Sequence, residues 1–87
     1  MPSYEERVEG GSDLAFSVLG GDHIEPMTGQ FRPGHEDRVG RVRQALGLLR
    51  IPASEIEDAI ALGEMYAQEH ARQLHQIALY EQTGFRE

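Results

Sequence analysis

The chain has 87 residues and a formal net charge of -7, with 39% hydrophobic residues, 26% charged residues and no cysteine. This is the composition of one globular domain, and the lack of cysteine excludes disulfides, thiolate zinc sites and iron–sulfur clusters. The negative net charge argues against general nucleic-acid binding, because neutralising phosphates requires local positive charge.

The sequence predicts a soluble, cytoplasmic protein with no membrane partner. Its apolar runs are at most four residues long, as in Ala59 to Leu62, whereas a helix that crosses a bilayer needs about 20 apolar residues. The first residues, MPSYEERVEGG, are acidic and lack the basic start and apolar stretch of a secretory signal.

Charge is divided into three blocks along the chain. Residues 1–31 contain one arginine and six acids, residues 32–50 five arginines and two acids, and residues 51–87 two arginines and seven acids. The basic block is therefore flanked by two acidic blocks. This order allows the arginines to be neutralised within the molecule before any external anion is considered.

Residues 1–35 hold six of the ten glycines and three of the four prolines, so we expect a loop-rich, acidic N-terminal arm. Ser3 and Glu6 have the spacing of a capping box and predict a single helical turn. A second short helical segment is expected at residues 14–19, where Gly20 follows and ends it. The arm is thus predicted to carry one or two short helical turns.

The basic block begins a first helix at about residues 36–50. Two acids occupy its first turn, where the helix dipole favours negative charge. Apolar residues then recur at helical spacing, namely Val39, Val42, Leu46 and Leu49. Pro52 cannot continue the helix and marks its end.

The acidic C-terminal block predicts a long second helix at about residues 54–82. Ser54 and Glu57 have capping-box spacing at its start. A 4-3 alternation then runs along it, at Ile56, Ile60, Gly63, Ala67, His70, Leu74 and Ile77. A connector of about three residues forces the two helices to run antiparallel. The predicted fold is all-α, a single domain with an arm at 1–35 and a helical hairpin at 36–87.

Small residues recur along the long helix, which predicts a close approach of another helix. The row consists of Ala59, Gly63, Ala67 and Ala71, and the shorter helix offers Gly40 and Gly47 beside its apolar stripe. A glycine inside a helix costs about 1 kcal/mol relative to alanine, which close packing of two backbones offsets. The alternative is that alanine is simply the best helix former.

No catalytic, metal or cofactor motif is present, so we predict a protein that is not an enzyme. Neither His70 nor His75 has a ligand residue three or four positions away on the predicted helix. The remaining metal candidates are a site assembled from separate chains and a loop cluster of Asp22, His23, Glu25 and His35. Phosphate-binding loops of the Gly-x-x-x-x-Gly-Lys type are excluded, because the chain has no lysine.

The long helix outruns the short one, which leaves part of its apolar stripe without a cover inside the hairpin. The residues concerned are Tyr66, His70, Leu74, Ile77 and Ala78. The N-terminal segment, a second copy of the chain or another protein can cover them. We therefore expect a non-enzymatic helical interaction module, such as an adaptor, inhibitor or assembly subunit, as found among small bacterial or phage accessory proteins, and we expect it to form homo-oligomers.

The alternative function is a small DNA-binding regulator that uses the arginines of the shorter helix. These are Arg38, Arg41, Arg43 and Arg50. In a helix-turn-helix arrangement the segment after Pro52 would approach the major groove, and it begins with Ser-Glu-Ile-Glu-Asp. Phosphates would repel three acids at this position, so the arginines are better explained as a solvated or internally paired face.

Overall fold

The computed structural model describes residues 3–83, which form an all-α fold as predicted. Three α-helices follow one another, α1 at Tyr4–Leu19, α2 at His35–Leu48 and α3 at Ala53–Thr83, with a short 3-10 helix at Gly21–His23. Residues 3–83 contain no strand, only an isolated antiparallel bridge between Ile24 and Phe31. The predicted helical hairpin corresponds to α2 and α3.

The N-terminal segment contains a full helix, where the sequence predicted only one or two short turns. The predicted capping box is present, since Glu6 N donates to Ser3 Oγ and Ser3 N donates to Glu6 Oε1. It opens a 16-residue helix that continues through Gly10 and Gly11. Gly11 is buried, and a Cβ added there would lie 2.8 Å from the Cβ of Ala59. Close packing on α3 therefore offsets the helix-breaking tendency of this glycine.

The core is built from one face of each helix. Its buried residues are Val8, Ala15 and Leu19 of α1, Val39, Val42 and Leu46 of α2, and Ile56, Ala59 and Ile60 of α3. A smaller cluster continues along α3, where Ala67 and Ala71 pack with Ile24 of the loop and with the partly buried Phe16 and Phe31. Ala71 is the last buried residue of α3 within the described part of the chain.

The small residues of α3 face α1, which corrects the expectation that they face α2. A Cβ added at Gly63 would lie 2.5 Å from the Cβ of Ala15 and 3.0 Å from the backbone oxygen of Ser12. Gly40 and Gly47 of α2, the expected partners, have nothing within 4 Å of an added Cβ. The reason is that α1, which the sequence did not predict as a full helix, occupies the small row of α3.

Within residues 3–83, two arginine–glutamate ion pairs connect α3 to the other helices. The Arg7 guanidinium donates to both oxygens of Glu55, at 2.6 and 2.9 Å, and lowers the pKa of that carboxyl. Arg43 of α2 donates to both oxygens of Glu57, at 2.7 and 3.1 Å, and lowers the pKa of Glu57. The arginine of α2 nearest the turn thus pairs with the acidic start of α3.

The turn between α2 and α3 places Arg50 in the left-handed backbone region, at φ 65°. Arg50 N donates to Gly47 O and Ile51 N donates to Leu46 O, which closes the C-terminal end of α2. α3 then begins at Ala53, one residue earlier than predicted. Its Glu57, predicted to cap the helix with Ser54, points its carboxylate at Arg43 instead.

α3 extends well beyond the rest of the molecule. With 31 residues it is about 46 Å long at 1.5 Å per residue, and the whole chain measures 54 × 28 × 14 Å. We call residues 72–83, which follow the last buried position of α3, the overhang. Within residues 3–83, no helix combines the length and the apolar content that crossing a lipid bilayer requires.

Candidate functional site

The overhang exposes large apolar side chains to solvent. Leu74 and Ile77 are each 53% exposed, Leu79 is 43% exposed and Tyr80 is 55% exposed. Scattered exposed apolar residues are normal on proteins, but a concentration of them on one element marks a surface that binds something. The overhang is therefore the candidate functional site.

The same face of α3 is buried before the overhang and exposed within it. Ala67 is 1% exposed and Ala71 is 8% exposed, whereas Leu74 is 53% exposed. Ala67, Ala71, Leu74 and Ala78 recur three or four residues apart, so they lie along one side of the helix. The change in exposure follows from the cover, because α1, which packs on the earlier turns of α3, ends at Leu19.

His70 lies at the boundary between the covered and the exposed parts of this face. Its ring contacts Phe16 of α1 edge-on, with centroids 5.4 Å apart and an interplanar angle of 70°. Edge-to-face contacts of this kind are a favourable aromatic geometry. The imidazole remains exposed overall, so it packs on α1 on one side and faces solvent on the other.

A groove of about 580 Å³ lies between the end of α1, the loop that follows it and the start of the overhang. Apolar residues form most of its walls, namely Phe16, Ile24, Pro26, Ala71, Leu74 and Ala78. Its polar lining includes Asp22, Arg32, His70 and His75. An apolar floor with a few polar groups at the edge is typical of a site that takes an apolar side chain or a helix.

The central part of the overhang contains no charged residue. Residues 73–80 contain no Asp, Glu, Lys or Arg, although 26% of the whole chain is charged. The nearest charged residues on α3 are Arg72 before this stretch and Glu81 after it. Protein interfaces show the same arrangement, with charges depleted from the core and present at the rim.

The predicted interface residues fall into two neighbouring groups. His70, Leu74 and Ala78 line the groove beside α1 and the loop. Tyr66 and Ile77, which are 11 residues apart and so lie on one line of the helix, flank that group and are 46% and 53% exposed. Sequence reasoning missed the groove walls from the loop, Ile24 and Pro26, because nothing periodic in the loop indicates where it packs.

The four arginines proposed to face an anion do not share one environment. Arg43 pairs with Glu57, and Arg38 folds back so that its Nη2 lies 3.5 Å from Arg32 O and 3.4 Å from Pro33 O. Arg41 and Arg50 are exposed. Arg38 and Arg43 of the basic block therefore bond to groups of the same chain.

The loop residues considered for a metal do not assemble into a site. His35 Nε2 lies 2.7 Å from Glu64 Oε2 of α3, and its ring stacks on Phe31 with centroids 3.8 Å apart. Among residues 3–83, no group of three His, Asp or Glu side chains has the geometry to hold a metal ion. His35 instead joins the start of α2 to α3.

Comparison with known proteins gives no relative from which a role can be transferred. No family model, no curated protein and no solved structure matches the chain.

Proposed function

We propose that this protein is a non-enzymatic protein–protein interaction module that binds its partner along the overhang of α3. The observation that supports this most directly is the rise in exposure on one helix face, from 8% at Ala71 to 53% at Leu74. Full burial of a Leu or Ile side chain contributes about 1.5–3 kcal/mol. Since Leu74 and Ile77 are each 53% exposed, covering them would contribute about half of this per side chain.

The shape of the surface supports a helical partner. Leu74, Ile77 and Ala78 recur at three and four residues, and a groove of about 580 Å³ adjoins them. An amphipathic helix that lies in an apolar groove presents its own residues at the same spacing. Within this class the module acts as an adaptor, an inhibitor or an assembly subunit.

The DNA-binding alternative has less support from the geometry. Arg43 is held by Glu57, and Arg38 donates to the backbone oxygens of Arg32 and Pro33, so two of the four arginines already have partners within the chain. The net charge of -7 also opposes the approach of a phosphate backbone to the arginines that remain exposed.

Substitution of Leu74 by Glu tests the proposal. We expect Leu74→Glu to keep the helical content of the protein, since Leu74 lies outside the core, and to lose the complexes that the wild-type protein forms in its source lysate. Met65→Glu is the matched control, because Met65 is 55% exposed and lies nine residues away, on the opposite side of the same helix. Identical complexes for all three proteins, self-assembly included, would contradict the proposal.

A further inference from the structure

We propose that the partner which covers the overhang is a second copy of this chain, and that the two overhangs pair antiparallel about a two-fold axis. This inference rests on the proposed function, for which it names the partner. The argument combines the spacing of residues on the overhang, its charge, the accessible area of the chain and the position of the groove.

The spacing of residues on α3 matches an antiparallel pair. His70, Leu74, Ile77 and Glu81 follow one another at intervals of four, three and four residues, which is the repeat of one face in paired helices. When two such faces run in opposite directions, Leu74 of each copy lies opposite Ile77 of the other. His70 of each copy then lies opposite Glu81 of the other, so all four positions find a chemically compatible partner.

The residues beside this face also suit self-pairing. Ala71 and Ala78 lie on one flank of the face, where small side chains let two helix axes approach closely. Gln73 and Tyr80 lie on the other flank, and the antiparallel arrangement brings Gln73 of one copy near Tyr80 of the other. A two-fold interface of this kind uses the same patch on both copies.

Electrostatics allow two copies of an acidic chain to meet at this segment. The net charge is -7, so two copies repel each other over most of their surface. Residues 73–80 carry no Asp, Glu, Lys or Arg, and this contact therefore opposes no like charges at its centre. At each end of the contact an imidazole faces a carboxylate, which is a favourable combination.

The isolated chain exposes more surface than a compact monomer of its mass, and the excess is about the size of one interface. The chain exposes 6183 Å², whereas a compact monomer of this mass exposes about 5,100 Å². Its radius of gyration is 15.3 Å, against about 12 Å for a compact domain of this length. The excess of about 1,000 Å² is close to the roughly 800 Å² that each partner buries in a standard stable interface.

Besides the pairing of the two overhangs, the groove provides a further part of the proposed dimer contact. In the antiparallel arrangement the last turns of one overhang pass His70 of the other copy and reach the groove beside Phe16. In this register residues 72–79 of the two copies lie side by side, and residues 80–83 of one copy lie opposite residues 68–71 of the other. Each copy contributes both a groove and the helix that fills it.

Measurement of mass in solution is the first test. We expect sedimentation equilibrium of the full chain, up to about 1 mM, to give twice the 9.7 kDa of one chain. Leu74→Glu is expected to give the mass of a monomer with its helical circular dichroism retained, and Met65→Glu is expected to remain a dimer. A monomeric wild-type protein would overturn the second-copy inference, while the lysate experiment with Leu74→Glu would still decide the proposed function.

Charge exchange tests the antiparallel arrangement itself. At pH 8, His70→Glu places two like-charged pairs in the dimer and is expected to weaken it about tenfold. The double variant His70→Glu with Glu81→Arg restores opposite charges and should recover the wild-type dissociation constant. Residues 70 and 81 are about 16 Å apart along one helix, so this recovery cannot arise within a single chain.

The outcomes separate the inference from other dimers. A dimer that Leu74→Glu leaves intact would show that a different surface associates, and would overturn the inference. A dimer that His70→Glu weakens but the double variant fails to restore would overturn the antiparallel arrangement. The proposal is supported if Leu74→Glu abolishes the dimer and the double variant recovers the wild-type dissociation constant.

Discussion

Gly63 and Gly40 both lie inside helices, but their surroundings predict opposite effects of the same substitution. Gly63→Ala places a Cβ 2.5 Å from that of Ala15 and is expected to destabilise the protein by about 1–3 kcal/mol through overpacking. Gly40→Ala meets nothing within 4 Å and should stabilise by about 0.5–1 kcal/mol, because alanine restricts the unfolded chain. Urea unfolding of both variants measures the difference. Equal effects would show that α1 does not pack closely on α3.

Arg50 carries backbone strain that glycine would relieve. Its φ of 65° lies in the left-handed region, where a side chain costs about 1–2 kcal/mol and where helices usually end on glycine. Arg50→Gly is therefore expected to raise the free energy of unfolding by about 1 kcal/mol, measured by urea unfolding. Arg41→Gly, in the interior of α2 with ordinary φ, is the control and should destabilise by about the same amount. A destabilising Arg50→Gly would indicate that the Arg50 side chain holds the turn.

At the level of elements, hydrophobic periodicity predicted α2 and α3 but not α1. The repeats of Val39, Val42 and Leu46 and the long 4-3 alternation of α3 are local patterns, and they identified both helices to within a few residues. α1 contains Gly10 and Gly11, which by local propensity argue against a helix. Its stability depends on Gly11 meeting Ala59 across the helix interface, and no local pattern contains that contact.

The ion pair between α1 and α3 predicts how stability depends on pH. Hydrogen bonds from Arg7 lower the pKa of Glu55 below its ordinary value of 4.5. A carboxyl with a depressed folded-state pKa stabilises the fold above the unfolded-state value, and this contribution is lost as pH falls through the folded-state value. The melting temperature of the wild-type protein should therefore fall below about pH 4.5 more steeply than that of Glu55→Gln.

Glu5→Gln provides the control for this pH dependence. Glu5 is exposed in the first turn of α1, and its substitution leaves the Arg7–Glu55 pair in place, so the steep loss of stability below about pH 4.5 should remain. If Glu55→Gln and the wild-type protein lose stability in parallel between pH 7 and pH 3, the Arg7 pair does not contribute to the fold.

At the level of the whole molecule, the buried core occupies one part of a 54 Å long chain and a single helix extends from it. The sequence predicted this overhang because the two helices of the hairpin differ so much in length. It did not predict the groove, whose walls include a loop fixed by tertiary contacts. Ile24 is 2% exposed, and Gln68 Nε2 donates to Gly29 O across 39 residues of sequence. Contacts of this range leave no periodic signal.

Removal of the overhang tests whether the fold and the binding surface are separable. Every buried position of the described chain lies at or before Ala71, so a chain that ends at Arg72 is expected to remain helical. Its melting temperature should lie within about 5 °C of that of Leu74→Glu, because both lack a covered overhang and retain the same core. Circular dichroism during heating measures both the helical content and the melting temperature, and sedimentation shows whether the truncated chain still associates.

A chain that ends at Glu64 is the matched control for this truncation. It also lacks Ala67 and Ala71, which pack with Ile24 in the smaller core cluster, and should melt well below the longer truncation. If the chain ending at Arg72 is already unfolded, residues 72–83 belong to the cooperative core and are not a surface kept for a partner. If it stays folded but still forms the wild-type complexes, those complexes use another part of the molecule, since the truncation removes Leu74, Ile77 and Ala78 together.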